Sequence, residues 1–276
     1  SYDMLGEAAM TMSDADWYYK QYYDAINELA KYAINDEIKK NPGISIKLSA
    51  LYPRYEVAQH ERVHTELYPK LLKLTQLAKK LNVGMNIDAE ETERLQLSLE
   101  LVERLAYEPS LEGFDGIGIV VQAYQKRAPF VLDYLASLAK KTNRRFMVRL
   151  VKGAYWDAEI KHAQEMGLDG YPVFTRKYHT DVSFQACTKQ LFESNKYIYP
   201  QFATHNAQTV AVVMELANRT TDFEFQCLHG MGDALYDNIV GKEDFENIPC
   251  RIYAPVGGHK HLLAYLVRRL LENGAN

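Results

Sequence analysis

Short runs rich in apolar and β-branched residues recur between longer helix-like stretches along the whole chain, and that alternation most restricts its fold. The runs span residues 2–5, 44–48, 83–88, 116–122, 146–152, 201–205, 223–228 and 250–254. The stretches 14–40, 61–81, 91–105, 129–140, 158–166 with 181–192, 207–217, 233–239 and 260–273 read as helical. Strands separated by helices pair in parallel, because parallel neighbours need a long crossover. Eight such units in 276 residues is the size of one (β/α)8 barrel of the α/β class. A doubly wound open sheet is the competing arrangement. No Pro/Gly/Ser-rich linker, low-complexity tract or repeat divides the chain. Residues 2–7 already read as a strand running into a loop, and Gly274-Ala275-Asn276 follow the last helix directly. The expectation is one domain over residues 1–276, cut from a longer polypeptide.

Hydrophobic residues make up 47% of the chain, enough for one sizeable core. The net charge of −4 gives no electrostatic case for nucleic acid. Cys187, Cys227 and Cys250 show no CxxC spacing and leave an odd count, which fits a reduced, cytoplasmic chain. There is no signal peptide and no apolar run long enough to span a bilayer. Twenty tyrosines supply apolar area with a hydroxyl attached, suited to cores and to small-molecule pockets.

In a barrel the loops after the strands build the active site. Polar residues collect at those ends: Lys47, Asp88, Gln122, Arg149 with Lys152, Thr204-His205-Asn206, Cys227 with His229, and Tyr253. Turn chemistry favours Gly, Pro, Asn and Asp and does not account for this set. A shared site is therefore expected. Lys47 and Asp88 end neighbouring strands, either as an ion pair closing the rim or as a cation for a carboxylate with Asp88 orienting a partner. Arg149 and Lys152 have opposite parity, so one regular strand cannot point both inward. Gly153 admits a close backbone approach to a ligand, and Tyr155 and Trp156 offer flat surfaces. The plain alternative puts Trp156 in the core and Lys152 in water.

Thr175-Arg176-Lys177 lies in a loop-like region and could hold phosphate, although surface charge clusters are common. Neither GxxxxGK[ST] nor GxGxxG is present, so no P-loop or Rossmann site is indicated. His205, His229, His259 and His261 come without a metal-binding spacing, and no metal is assigned.

Near the C-terminus Tyr265, Arg268, Arg269 and Glu272 share one face of a helix at i, i+3, i+4 and i+7. Two adjacent arginines beside a tyrosine suit a carboxylate clamp with an aromatic wall. A solvated stripe on a packed helix is the alternative. Arg268 precedes Glu272 by four residues, the poorer order for a helical ion pair. The residues alone lead to a barrel binding a small carboxylate near a cationic, aromatic surface, and do not define the reaction.

Six segments carry a resemblance: 2–9, 44–51, Asn86 to Glu90, Arg149 to Trp156, Ala203 to Asn206, and Tyr265 to Glu272. Together they resemble the proline dehydrogenase family, most nearly the proline dehydrogenase domain of the bifunctional proline utilisation A (PutA) flavoenzymes. The resemblance runs along essentially the whole chain. It implies a distorted (β/α)8 TIM barrel whose last helix lies above the barrel mouth, with FAD at that mouth.

By that resemblance Arg268 and Arg269, with Lys47, hold the carboxylate of L-proline, and Tyr253, Tyr265, Tyr155, Leu150 and Leu228 wall its ring. Asp88 falls between the substrate and flavin regions, and Arg149 sits near flavin N5. Gln122 and the backbone of Val151 reach the isoalloxazine. Lys152, Gly153, Ala154, Trp156, Thr175, Arg176, Lys177, Thr204, His205, Asn206, Gln226, Cys227 and Glu272 line the rest of the FAD, and Glu7 pairs with Arg268 as a gate. The implied reaction is hydride transfer from proline to flavin N5. Its product is Δ1-pyrroline-5-carboxylate, and a quinone takes the electrons. An aldehyde dehydrogenase domain in the parent protein and peripheral contact with the inner membrane are implied partners. The family's helix before the first strand has no counterpart in this sequence. Two other readings compete: a Schiff-base aldolase using Lys47 or Lys152, and a non-catalytic carboxylate-binding barrel.

Overall fold

The computed structural model describes residues 1–220, 222–242, 248–258, 262, 263, 265–267 and 269. Eight strands follow one another in chain order round a closed barrel. They are β1 (Tyr2–Met4), β2 (Gly43–Ile46), β3 (Gly84–Ile87), β4 (Ile117–Gln122), β5 (Phe146–Val151), β6 (Ile198–Ala203), β7 (Glu224–Leu228) and β8 (Cys250–Val256). The pairs β1–β2, β2–β3, β3–β4, β6–β7 and β7–β8 are parallel. The (β/α)8 reading holds, and the open sheet is set aside. Every residue of β2, β3 and β4 is buried, as in parallel sheets covered on both faces. The α-helices are α1 (Met12–Leu29), α2 (Leu48–Leu51), α3 (His60–Arg62), α4 (Tyr68–Lys80), α5 (Leu95–Tyr107), α6 (Ala128–Thr142), α7 (Trp156–Glu165), α8 (Lys177–Glu193), α9 (Ala207–Ala217) and α10 (Asp233–Tyr236).

Packing divides the chain into two compact units, the first comprising residues 1–119, 138–147 and 255–262. Thr11 starts α1 through a capping box with Asp14. Ala15, Tyr22, Ile26 and Leu29 form the buried stripe of α1. The long helix expected over 14–40 stops at Leu29 and breaks into 3-10 turns. Downstream, the Asn41 side chain holds the backbone N–H and C=O of Asn35 at 2.9 Å each, a local alternative to helical bonds. The helix expected over 61–81 is likewise interrupted by a π-turn at Val63–Leu67, just before Pro69, which has no N–H for the regular ladder. β2 ends at Ile46, so Lys47 is the N-cap of α2 and not a strand residue. Gly118 is required by packing: a Cβ there would lie 1.4 Å from Asn86 Oδ1 on the paired strand.

The second unit comprises residues 120–137, 148–254 and 263–276. Its core includes an aromatic cluster in which the Phe223 ring meets Phe192, Phe202 and Phe225 edge-on at 5.2, 5.7 and 5.6 Å between centroids. β6 begins at Ile198, earlier than expected, because Pro200 disguises a buried strand. The loop expected at Thr175-Arg176-Lys177 is the start of α8: Arg176 takes an extended N-cap conformation and Lys177 opens the helix. Residues 262, 263, 265–267 and 269 are helical. The placement of that final helix above the mouth, with Arg268 and Glu272, lies outside the described residues.

Candidate functional site

In the first unit the charged side chains converge on Lys47. Its Nζ lies 3.1 Å from each oxygen of Asp3 and 3.1 Å from Asp88 Oδ2. Asp3 follows from β1, Lys47 from the end of β2, and Asp88 from the end of β3. The Lys47 N–H also donates to Tyr22 Oη at 3.1 Å. Burial pushes the Tyr22 hydroxyl pKa well up, against a smaller lowering by Lys47. The Lys47–Asp88 pairing expected from the sequence is present, but Asp3 was not anticipated. Two carboxylates face one ammonium, so this cluster carries a net negative charge when all three groups are ionised. Glu7 is half-buried in the loop after β1, and its expected partner Arg268 is outside the described residues.

In the second unit Arg149 and Lys152 are both buried, at 4% and 7% exposure. β5 ends at Val151, so Lys152 lies beyond the strand and outside its alternation. Lys152 Nζ meets Asp181 at 2.7 Å, and Lys177 Nζ reaches the other oxygen at 2.9 Å. Burial raises the Asp181 pKa, but the hydrogen bonds from Lys152 and Lys177 carry it below the usual range. The alternative placing of Trp156 and Lys152 is reversed: Trp156 is 39% exposed and its Nε1 donates to the Phe174 carbonyl at 2.9 Å.

At Gly153 φ is +142°, and a Cβ would lie 2.5 Å from the Tyr124 ring, so the position admits only glycine. The next N–H, of Ala154, reaches Gln122 Oε1 at 3.4 Å, and the Val151 carbonyl accepts from Ala123 N–H at 2.8 Å. Leu150 is fully buried, whereas Tyr155 is half-buried.

Arg149 belongs to a hydrogen-bonded chain across β5, β7 and β8. Its Nε donates to Gln226 Oε1 at 2.7 Å, and its guanidinium lies 4.9 Å from the Tyr253 ring centroid. Gln226 Nε2 donates to Glu224 Oε1 at 2.7 Å, and Arg251 pairs with both oxygens of Glu224. Glu224, Arg251 and Asp181 escaped sequence reasoning. For Glu224 a signal existed: it shares strand parity with Gln226, which places both on one face.

The segment after β6 is built by local bonds. Thr204 Oγ1 accepts from Asn206 N–H at 3.1 Å, and Asn206 Oδ1 caps α9 through Thr209 N–H at 2.9 Å. His205 Nε2 accepts from the Leu228 N–H at 3.0 Å. Burial lowers the His205 pKa, and the Arg269 charge lowers it further. His205 is thus a neutral ring with its proton on Nδ1. Tyr265 is buried, and the Arg269 guanidinium lies 5.4 Å from its ring centroid. Cys227 Sγ stands 3.7 Å from Cys250 Sγ.

Among the described residues one further group has the composition of a metal site: His60, His64 and Glu100, with ligand atoms within 4.8 Å of one another. Arg104 Nη1 lies 3.0 Å from His64 Nδ1, so Nδ1 accepts and the His64 proton sits on Nε2 toward Glu100. Hydrogen bonds close this group, and the lone pair a metal needs faces Arg104.

No side chain caps the N-terminus of the 17-residue α8, and its first turn carries no acidic residue. Exposed Arg176 and Lys177 stand at that end, an arrangement suited to a diphosphate.

A family profile described as proline dehydrogenase matches residues 1–276. The bifunctional protein PutA of Klebsiella aerogenes is 60% identical over 281 residues, covering all of this chain and 21% of its own length. A crystal structure of a Bradyrhizobium japonicum proline utilization A (PutA) mutant matches with a TM-score of 0.96 at 55% identity, covering 100% of this chain and 28% of that one. The proline utilization A of Bdellovibrio bacteriovorus inactivated by N-propargylglycine matches with a TM-score of 0.90 at 35% identity, over 99% of this chain and 30% of that one. The chain thus spans about a fifth of the length of its curated PutA relatives.

Proposed function

Because the chain belongs to the proline dehydrogenase family, we propose that it oxidises L-proline to Δ1-pyrroline-5-carboxylate, with FAD as cofactor and a quinone as electron acceptor. The observation that carries this reading is a buried guanidinium, Arg149, locked by Gln226 and laid against Tyr253, in a chain that this family's profile matches end to end. FAD, when bound, supplies the hydride acceptor. Arg149 and Gln122 are the groups assigned to its ring system, and Arg176, Lys177 and the start of α8 to its diphosphate.

Arg269, together with Arg268, is assigned the proline carboxylate, and Tyr265 an aromatic wall beside it. Lys47, the third cation assigned to that carboxylate, donates to Asp3 and Asp88. The proline nitrogen must be neutral for its lone pair to form the C=N bond as hydride leaves the ring carbon. The parent protein is proposed to carry an aldehyde dehydrogenase domain, to work in the cytoplasm and to touch the membrane peripherally. Among the described residues no helix is long and apolar enough to cross a membrane.

A Schiff-base reading finds no support. Lys47 and Lys152 are both hydrogen-bonded to carboxylates, and an ammonium so held has no lone pair to attack a carbonyl. The test is the visible spectrum of the purified protein with added FAD. A flavin band that bleaches on adding L-proline, and progressive inactivation by N-propargylglycine, are expected. A colourless protein, or a flavin band indifferent to proline, would remove the proposal.

A further inference from the structure

Gln226 stands between two groups that leave its amide no choice of orientation. An ionised carboxylate only accepts hydrogen bonds and a guanidinium only donates them. Gln226 Nε2 faces Glu224 Oε1 at 2.7 Å, and its Oε1 faces Arg149 Nε at 2.7 Å. Flipping the amide would set oxygen against oxygen on one side and N–H against N–H on the other.

The arrangement works only while the Glu224 carboxylate stays still. Arg251 clamps it: its Nε lies 2.7 Å from Oε1 and its Nη2 2.9 Å from Oε2. Gln201 Nε2 adds a bond to Oε1 at 3.0 Å, and Tyr199 Oη reaches Oε2 at 3.4 Å. Register accounts for the assembly, since Gln201 pairs with Glu224 across β6–β7 and Gln226 pairs with Arg251 across β7–β8. Glu224, Gln226, Gln201 and Arg149 are all at or below 4% exposure, so water does not compete for these bonds.

We infer that Glu224 is a positioning residue for the flavin-facing arginine: it orients Gln226, and Gln226 sets the plane and reach of Arg149. Arg251 is the bidentate partner that holds the Glu224 carboxylate in place. The inference rests on the proposed function for the role of Arg149, and on geometry alone for the chain Glu224–Gln226–Arg149.

The test compares the wild-type chain with Glu224→Asp and with the charge-neutral double variant Glu224→Gln/Arg251→Met. Glu224→Asp keeps the ion pair but draws the acceptor away from Gln226. The double variant removes both charges and strands neither in the interior. Three readouts are taken: the 15N–1H signal of Arg149 Nε, identified by its loss in Arg149→Lys; FAD affinity from fluorescence titration of the apoprotein; and kcat against KM for L-proline. The Arg149 Nε signal is expected to shift or broaden in both variants. FAD affinity is expected to weaken and kcat to fall, each by about tenfold, the scale on which supporting-shell residues act, with little change in KM. A folded variant with an unchanged Arg149 Nε signal overturns the inference. A wild-type chain that binds flavin but ignores proline overturns the proposed function instead, and the Nε signal still decides the positioning.

Discussion

Lys47 Nζ lies equidistant, at 3.1 Å, from the two carboxylate oxygens of Asp3, a residue 44 positions away in sequence. Both side chains are buried, so each charge depends on the other. Lys47→Met removes the ammonium that donates to both Asp3 and Asp88. A loss of about 3–5 kcal/mol in unfolding free energy is expected, read from urea denaturation. Lys47→Met/Asp3→Asn should recover part of that loss. A double variant no more stable than the single one would mean that charge pairing is not what Lys47 supplies.

Arg269→Met tests the carboxylate grip. The apparent KM for L-proline should rise by an amount equivalent to about 2–5 kcal/mol, while the flavin remains bound. Steady-state kinetics matching the wild type would remove Arg269 from the clamp.

Gly153 is held at φ +142° with the Tyr124 ring where a Cβ would go. Gly153→Ala therefore meets a backbone penalty and a steric one together. The expected cost is about 1–3 kcal/mol from the backbone alone, seen as a lowered Tm. An unaltered Tm would show that the segment after β5 can relax around the methyl group.

The lowered pKa of His205 has a definite sign in stability. The unfolded chain takes up the proton first as pH falls, so His205 contributes stability above its unfolded pKa. That contribution declines as pH drops toward the folded value. Urea midpoints at about pH 7.5 and pH 5.5, on either side of the usual histidine pKa, should differ more in the wild type than in His205→Gln. Equal pH dependence in the two proteins would argue against a ring kept neutral by the fold.

Much of the architecture was legible because buried parallel strands are continuous apolar runs, and β2, β3 and β4 obey that rule at every position. The misread boundaries have local causes that periodicity does not register. Pro200 interrupts the pattern of β6, Pro69 forces a π-turn, and Asn41 captures the backbone of Asn35. Polar strand ends pointed to Lys47, Asp88, Gln122 and Arg149, each of which is buried or nearly so. Their partners were hidden for a different reason. Asp3, Asp181, Glu224 and Arg251 matter through bonds to residues remote in sequence, and only the closed register brings those residues into reach. The proposed flavin and substrate rest on family resemblance, since no spacing in the chain encodes them.

The first strand has only three residues, too few to fix its own alignment by apolar pattern. Sliding β1 by one position against β2 would turn the Asp3 carboxylate away from the Lys47 ammonium. The Asp3–Lys47 contact thus acts as a key that fits one alignment of the barrel's opening seam, and misaligned assemblies forfeit an ion pair from the outset.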